Sequence, residues 1–325
     1  MDLDRKTLAR ARLGIQEAVQ GWIYDPNVML VDFGWRECGG KLLQDELTIR
    51  VHIKEKYTHG PMLEAAVDDG KTRGYIPDTI AGFPVDRPVG TYRLHQYYRS
   101  WWRRPPSKRA SRGDPMKGGI SISNANRNVY ATLGGLVKDR ETNDLMILSN
   151  WHVLVGDWYV QPDLPIYQPG RGDGGTIGDT VATLSRHAMS SNLDAAVARL
   201  TGNRKLINDQ WDLWPVKGVG RAELGMEVAK SGRRTDLTYG LVTGIDGTIR
   251  MNYRGVDRLI NHVVTIEPRP PLREVSAGGD SGSLWCQEST RNAVGLHFAG
   301  SDEPERALAL DIQPVLDALN VYLVF

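Results

Sequence analysis

The chain has 325 residues, with 40 Lys and Arg against 39 Asp and Glu and a formal net charge of +1. That length allows about two domains, and the near balance of charge excludes a whole-chain electrostatic footprint for nucleic acid. No apolar run approaches the length of a membrane span, two cysteines exclude a disulfide scaffold, and Met1–Lys6 lacks the apolar core of a secretory leader, so a cytoplasmic protein held by core packing is expected.

The first elements read as a small α/β unit. Leu8, Leu13, Ile15 and Val19 give residues 5 to 20 an amphipathic helical stripe, and Val28 to Cys38 is strand-like. Gly39-Gly40 makes a turn into a second strand. There Leu47, Ile49, Val51 and Ile53 alternate with Thr48, Arg50, His52 and Lys54, the signature of a half-buried strand with His52 on its polar phase. Pro61–Val67 is a short helix, and Ile80–Val85, broken by Pro84, is an edge strand. This unit spans residues 1–97 and carries no catalytic constellation.

Residues 98–117 read as a linker. Between Arg99 and Lys117, seven basic residues stand against the single acid Asp114, interleaved with Trp101-Trp102 and Pro105-Pro106. Basic residues among aromatics can contact nucleic acid or an acidic partner. A solvated Pro-rich linker with the tryptophans packed on a domain is the favoured reading, so nucleic acid is not expected as a partner.

From Gly118 onward the pattern is β-rich. An apolar run, Met146-Ile147-Leu148, delivers Ser149-Asn150-Trp151-His152-Val153, as a buried strand would carry an imidazole to a sheet edge. Gln168–Gly175 reads as a surface turn, with a calcium loop short of carboxylates as the alternative, and no Cys/His cluster implies zinc. Asp194 opens an alternating strand, Asp194-Ala195-Ala196-Val197, where a part-buried carboxylate calls for a partner such as an imidazole N–H. Gly278-Gly279-Asp280-Ser281-Gly282-Ser283 holds a serine between glycines, with no neighbouring Cβ to block its hydroxyl. Ile312, Val315, Leu316 and Leu319 then form a closing helical stripe.

A serine hydroxyl is a poor nucleophile near neutral pH unless a base takes its proton and a carboxylate orients that base. His152, Asp194 and Ser281 follow one another at gaps of 42 and 87 residues. In this order and with these surrounding motifs, the chain resembles the chymotrypsin/trypsin-like serine peptidases, in their bacterial form. Val228–Thr235 followed by Tyr239–Ile245 resembles the segment that opens the second barrel, and Ala293–Ser301 the strand lining the substrate cleft. A weaker likeness, carried by the strand–Gly turn–strand pattern and Ile76-Pro77…Gly82-Phe83-Pro84-Val85, links residues 1–97 to the unit preceding bacterial peptidases of this type and plant NARROW LEAF relatives.

The resemblance implies an all-β double β-barrel with a C-terminal helix over residues 118–325, preceded by the α/β domain. It implies a serine endopeptidase that needs no cofactor or metal. Ser281 would attack, His152 would be the base, Asp194 would orient it, and the N–H groups of Gly279 and Ser281 would form the oxyanion hole. Val275 would floor the primary pocket with Ser276 and Gly300 beside it, favouring small or apolar side chains. A slip of one residue would put Glu274 there and reverse the charge. His297 is either a packed histidine or part of the cleft.

Two departures stand out. Trp151 precedes the histidine where animal enzymes have a small residue. Phe298 and Ala299 stand where a serine supports the aspartate, so Asp194 either lacks a hydrogen bond or takes it from another group. In secreted relatives a freed Ile or Val amine pairs with the residue matching Asp280. Ile120 after Gly118-Gly119 is the candidate for such a cut, with the barrel's own loops as the default support. The expected partner is a protein or peptide substrate, with the N-terminal domain available to a regulatory partner and no membrane. The alternative is a catalytically inactive binding module of the same fold.

Overall fold

A computed structural model describes residues 3–57, 60–95, 97–98 and 107–325. The chain is mostly β-strand with few helices. Trp101–Pro106 of the proposed linker lie outside the described residues.

The helix Arg5–Trp22 starts at Asp4, whose carboxylate accepts from the N–H groups of Lys6 and Thr7, two donors that a helix start leaves without intrahelical partners. Its buried residues, Ala11, Gly14, Ile15 and Ala18, share one face at helical spacing. That face packs on the antiparallel hairpin Val28–Cys38 and Lys41–Ile53.

The hairpin joins the N-terminal segment to the rest of the chain. Its strand Val28–Cys38 pairs antiparallel with Asp236–Tyr253, Leu30 opposite Ile249 and Gly34 opposite Gly244. One twelve-stranded sheet therefore runs from the first hundred residues into the last hundred. Ala11, Phe33 and Ile49 share a hydrophobic cluster with Val242, Ile266 and Ala307.

Within that sheet, strand pairings run in a ring. Glu227–Gly232 pairs with Leu284–Gln287, then come Asn292–Asp302, Glu305–Asp311, Val256–Pro268 and Asp236–Tyr253, which returns to Glu227–Gly232. A second, nine-stranded sheet holds Leu145–Ser149 beside Ala196–Leu200, with Ser149 opposite Ala196. The helix Ile312–Ala318 packs on both sheets' neighbouring strands and leads into Val321–Leu323, an edge of the second sheet.

The second strand departs from the half-buried expectation. Thr48 to Ile53 are buried on both faces. Arg50 and His52 are fully enclosed with Asp32, because the 236–268 hairpin and Tyr92 cover the face that alternation would have left to water. The described part of the linker is likewise not a solvated strap. Arg109 is buried, donates to the Gly119 carbonyl at 3.3 Å, and pairs with Asp236 at 2.9 Å and Asp212 at 3.2 Å. Met116–Gly118 pairs in parallel with Leu206–Gln210. Cys38 and Cys286 are both free thiols.

Candidate active site

The strand Leu145–Ser149 ends at Asn150, and His152 sits in the one-turn helix Trp151–Leu154 that follows. Asp194 lies just before the neighbouring strand Ala196–Leu200 and is fully buried rather than partly so. It grips His152 twice. The backbone N–H of His152 donates to Asp194 Oδ1 at 3.0 Å, and the ring Nδ1 hydrogen-bonds Asp194 Oδ2. An ionised carboxylate can only accept, so Nδ1 carries the proton and Nε2 is the basic nitrogen. Asn150 Nδ2 fixes the same loop by donating to the Asp194 carbonyl at 2.8 Å.

Sequence reasoning left open what supports Asp194 in place of the absent serine. The answer is Tyr253, whose hydroxyl donates to Asp194 Oδ2 at 2.9 Å. Burial, together with the adjacent Asp194 charge, pushes the Tyr253 phenol well above its ordinary range, so it stays a donor. Tyr253 lies 59 residues beyond Asp194. Its only sequence signal is its place on the apolar phase, with Ile249 and Met251, of the strand Asp236–Tyr253.

Ser281 lies in the turn before the strand Leu284–Gln287. Gly282, at φ +96°, is required there: a Cβ on it would fall 2.1 Å from Ser149 Oγ and 2.2 Å from the Thr132 carbonyl oxygen. The Ser281 turn therefore presses against the strand that leads into His152. The Ser281 hydroxyl donates to the Phe298 carbonyl at 3.1 Å, and the Ser281 carbonyl accepts from Thr132 N–H at 2.8 Å. Gly279, at φ +114°, aims its N–H at a peptide carbonyl, that of His95, at 2.6 Å.

Asp280 is held from inside. It pairs with buried Lys230 at 3.0 Å and accepts from Thr235 Oγ1 at 2.6 Å and from the N–H groups of Arg234, Thr235 and Ala277. Burial raises its pKa, but the Lys230 charge and the Thr235 hydrogen bond outweigh that and keep it ionised well below the usual carboxylate range. The cation paired with Asp280 is thus the Lys230 side chain. Ile120 itself is buried, its carbonyl accepting from Leu133 N–H at 2.8 Å.

Of the expected pocket residues, Val275 is buried and its carbonyl accepts from Thr238. The backbone N–H groups of Val275 and Ser276 both donate to Glu305 Oε1, at 2.9 and 3.1 Å. Gly300 faces His95, whose imidazole contacts His297 with His95 Nδ1 and His297 Nε2 3.1 Å apart. Both rings are held neutral, chiefly by burial, His95 at about 4 and His297 well below its ordinary value. Sequence reasoning assigned His95 no role at all. Among the described residues, no group of three or more His, Cys, Asp or Glu converges to hold a metal.

No family model matches the chain. A stretch of 121 residues, 36% of the chain, is 34% identical to serine protease 2 of Streptomyces fradiae and covers 56% of that protein, little more than half its length. Among solved structures, Thermobifida fusca protease A aligns over 64% of this chain and 98% of its own at 16% identity and a TM-score of 0.47. Nocardiopsis protease aligns over 66% and 100% at 17% identity and 0.49, and Cellulomonas bogoriensis chymotrypsin over 65% and 99% at 16% identity and 0.46. The chain is similar to the bacterial serine peptidases of the chymotrypsin/trypsin type.

Proposed function

We propose that the chain is a serine endopeptidase whose two sheets correspond to the two barrels of that fold and whose triad is His152, Asp194 and Ser281. The observation that carries this reading is the double grip of Asp194 on His152, with Tyr253 hydrogen-bonded to the same carboxylate. A carboxylate on Nδ1 leaves Nε2 ready to accept a proton, which is what a general base needs.

In the proposed reaction Ser281 Oγ adds to the carbonyl carbon of a peptide bond while its proton passes to His152 Nε2. The carbonyl oxygen, now negative, is held by the N–H groups of Gly279 and Ser281, donors worth about 3 kcal/mol each in comparable sites. The C–N bond breaks, the departing amine takes the proton from His152, and water then hydrolyses the acyl-enzyme by the same steps. Asp194 stabilises the imidazolium throughout. The intact Asp194–His152 contact favours this reading over an inactive binding module, and a protein or peptide is the proposed substrate.

The test is covalent labelling with a fluorophosphonate. The expected result is one adduct, on Ser281, lost in both Ser281→Ala and His152→Ala. Absence of an adduct under any condition, with the fold intact, would overturn the enzyme reading.

A further inference from the structure

Ser281 and His152 are 0% and 1% exposed. A nucleophile and base buried to that degree meet an external peptide only once their cover moves aside, so what covers them matters. Part of the cover is the chain itself. Arg93–Leu94 pairs antiparallel with the strand Asn292–Asp302, Leu94 opposite Ala299 and Arg93 opposite Gly300. The ladder continues through His95, whose N–H donates to the Phe298 carbonyl at 3.2 Å. That same carbonyl accepts from the Ser281 hydroxyl at 3.1 Å. The His95 carbonyl in turn accepts from Gly279 N–H at 2.6 Å, the donor assigned to the oxyanion hole. Beyond the cleft, Tyr97–Tyr98 pairs antiparallel with Val129–Tyr130.

An extended peptide bound by adding a strand to a sheet edge uses its backbone for affinity and its side chains for specificity. A peptide about to be cut must also put its carbonyl oxygen on the oxyanion donors, beside the nucleophile. Residues 93–95 meet both conditions at once. The side chain following this backbone into the fold is the His95 imidazole. It is buried against Gly300, where a Cβ would fall 2.5 Å from His95 Cε1, and it contacts His297 Nε2 at 3.1 Å. Its Nε2 has no hydrogen-bond partner among the described residues, and neither does the buried hydroxyl of Ser276.

We propose that Arg93-Leu94-His95 is an internal substrate-like strand that closes the cleft, with His95 in the primary pocket and His297 as the partner of its imidazole. The proposal rests on the serine-peptidase reading of Ser281. It assigns the pocket a histidine-accepting character in place of the apolar one suggested by Val275. It also identifies the His95 carbonyl as the one presented to Ser281. Attack there would form the ester between Ser281 Oγ and the His95 acyl carbon and release the Gln96 amine with the proton from His152. Water would then free the His95 carboxylate.

The test compares the full chain with a variant in which Arg93, Leu94 and His95 are replaced by Gly, Ser and Gly. With a fluorophosphonate, the proposal expects Ser281 of the variant to label at least tenfold faster than that of the natural chain. Equal rates would overturn the proposal while leaving the peptidase reading intact, and failure of both proteins to label would instead break the peptidase reading. On a panel of Arg-Leu-X coumarin amides, the variant should turn over X = His best, and a histidine substrate no better than Ala, Phe or Arg would refute the pocket assignment. Hydrogen exchange in Ser281→Ala gives a reading independent of activity: the His95 and Gly279 amides should be protected, and open-chain exchange at both would contradict the strand. Any Ser281-dependent break between residues 85 and 117 should fall after His95, and a break elsewhere in that interval would contradict the register.

Discussion

Two buried Asp–His contacts lie among the described residues, and they are built differently. Asp32 receives Arg50 Nε at 2.7 Å and Nη2 at 2.5 Å and Thr265 Oγ1 at 2.6 Å, so its charge is already matched by a cation. His52 reaches it only at 3.3 Å through Nε2, and its Nδ1 is taken by the Tyr92 hydroxyl at 2.7 Å. Both imidazole nitrogens are occupied, and burial, outweighing Asp32, holds the ring neutral at about 4. Asp194 has His152 and Tyr253 on its carboxylate and no arginine or lysine among those bonds, and it engages His152 through Nδ1. A carboxylate without a cation can stabilise an imidazolium as it forms; one already spent on Arg50 cannot. The first contact pins two strands of the N-terminal hairpin, and the second, on the proposed reading, prepares a base.

Substitutions separate the two most sharply at Asp194. Asp194→Asn should lower kcat by about 10⁴-fold, because the amide favours the wrong tautomer, with little change in unfolding free energy. Assays of peptide hydrolysis alongside urea unfolding check both halves. Asp32→Asn should do the reverse. Leaving Arg50 buried without its anion should cost about 3–5 kcal/mol of stability, while the folded fraction keeps its rate of Ser281 labelling. A large loss of labelling per folded molecule would erase the distinction.

Lys230→Met probes the same logic beneath the nucleophile. It strips buried Asp280 of its cation and should cost about 3–5 kcal/mol, read by urea unfolding, and slow Ser281 labelling as the oxyanion turn loosens. Tyr253→Phe is milder, removing one hydrogen bond to Asp194 and about 1–2 kcal/mol. Here kcat should fall with KM unchanged, and a pure KM effect would argue against a role through Asp194.

pH acts on the structural pair. His52 has a folded value depressed to about 4 from 6.5, so the unfolded chain takes up its proton first on acidification. Its contribution to stability is present above pH 6.5 and is lost as pH falls towards 4. Unfolding midpoints should decline across that window, and His52→Gln should flatten part of the slope. An unchanged slope would place the titration on other groups, the buried His95 first among them.

What the sequence disclosed follows from how local each signal is. His152, Asp194 and Ser281 stand in short motifs with fixed order, and the helix Arg5–Trp22 and the hairpin after it show in periodicity alone. The partners that complete the site come from far along the chain: Tyr253 for Asp194, Lys230 for Asp280, Glu305 for the backbone of Val275 and Ser276. No motif marks them, because a lone buried Tyr, Lys or Glu looks like any other until the sheets bring it in. Alternation misread His52 and Arg50 because it shows that a strand has two faces without telling that both are covered. His95 was invisible for a different reason. Its role lies in backbone pairing with Phe298 and Gly279, which depends on register and not on residue type.

The central claim is that Ser281 is activated by the His152–Asp194 pair and not by any other buried histidine. The most direct measurement is the rate of Ser281 modification by a fluorophosphonate in the natural chain, His152→Ala and His52→Gln. The account predicts one Ser281 adduct in the natural chain, its loss in His152→Ala and a rate within about twofold of natural in His52→Gln, since changes remote from a site leave its energetics nearly untouched. Equal labelling of His152→Ala and the natural chain would contradict it.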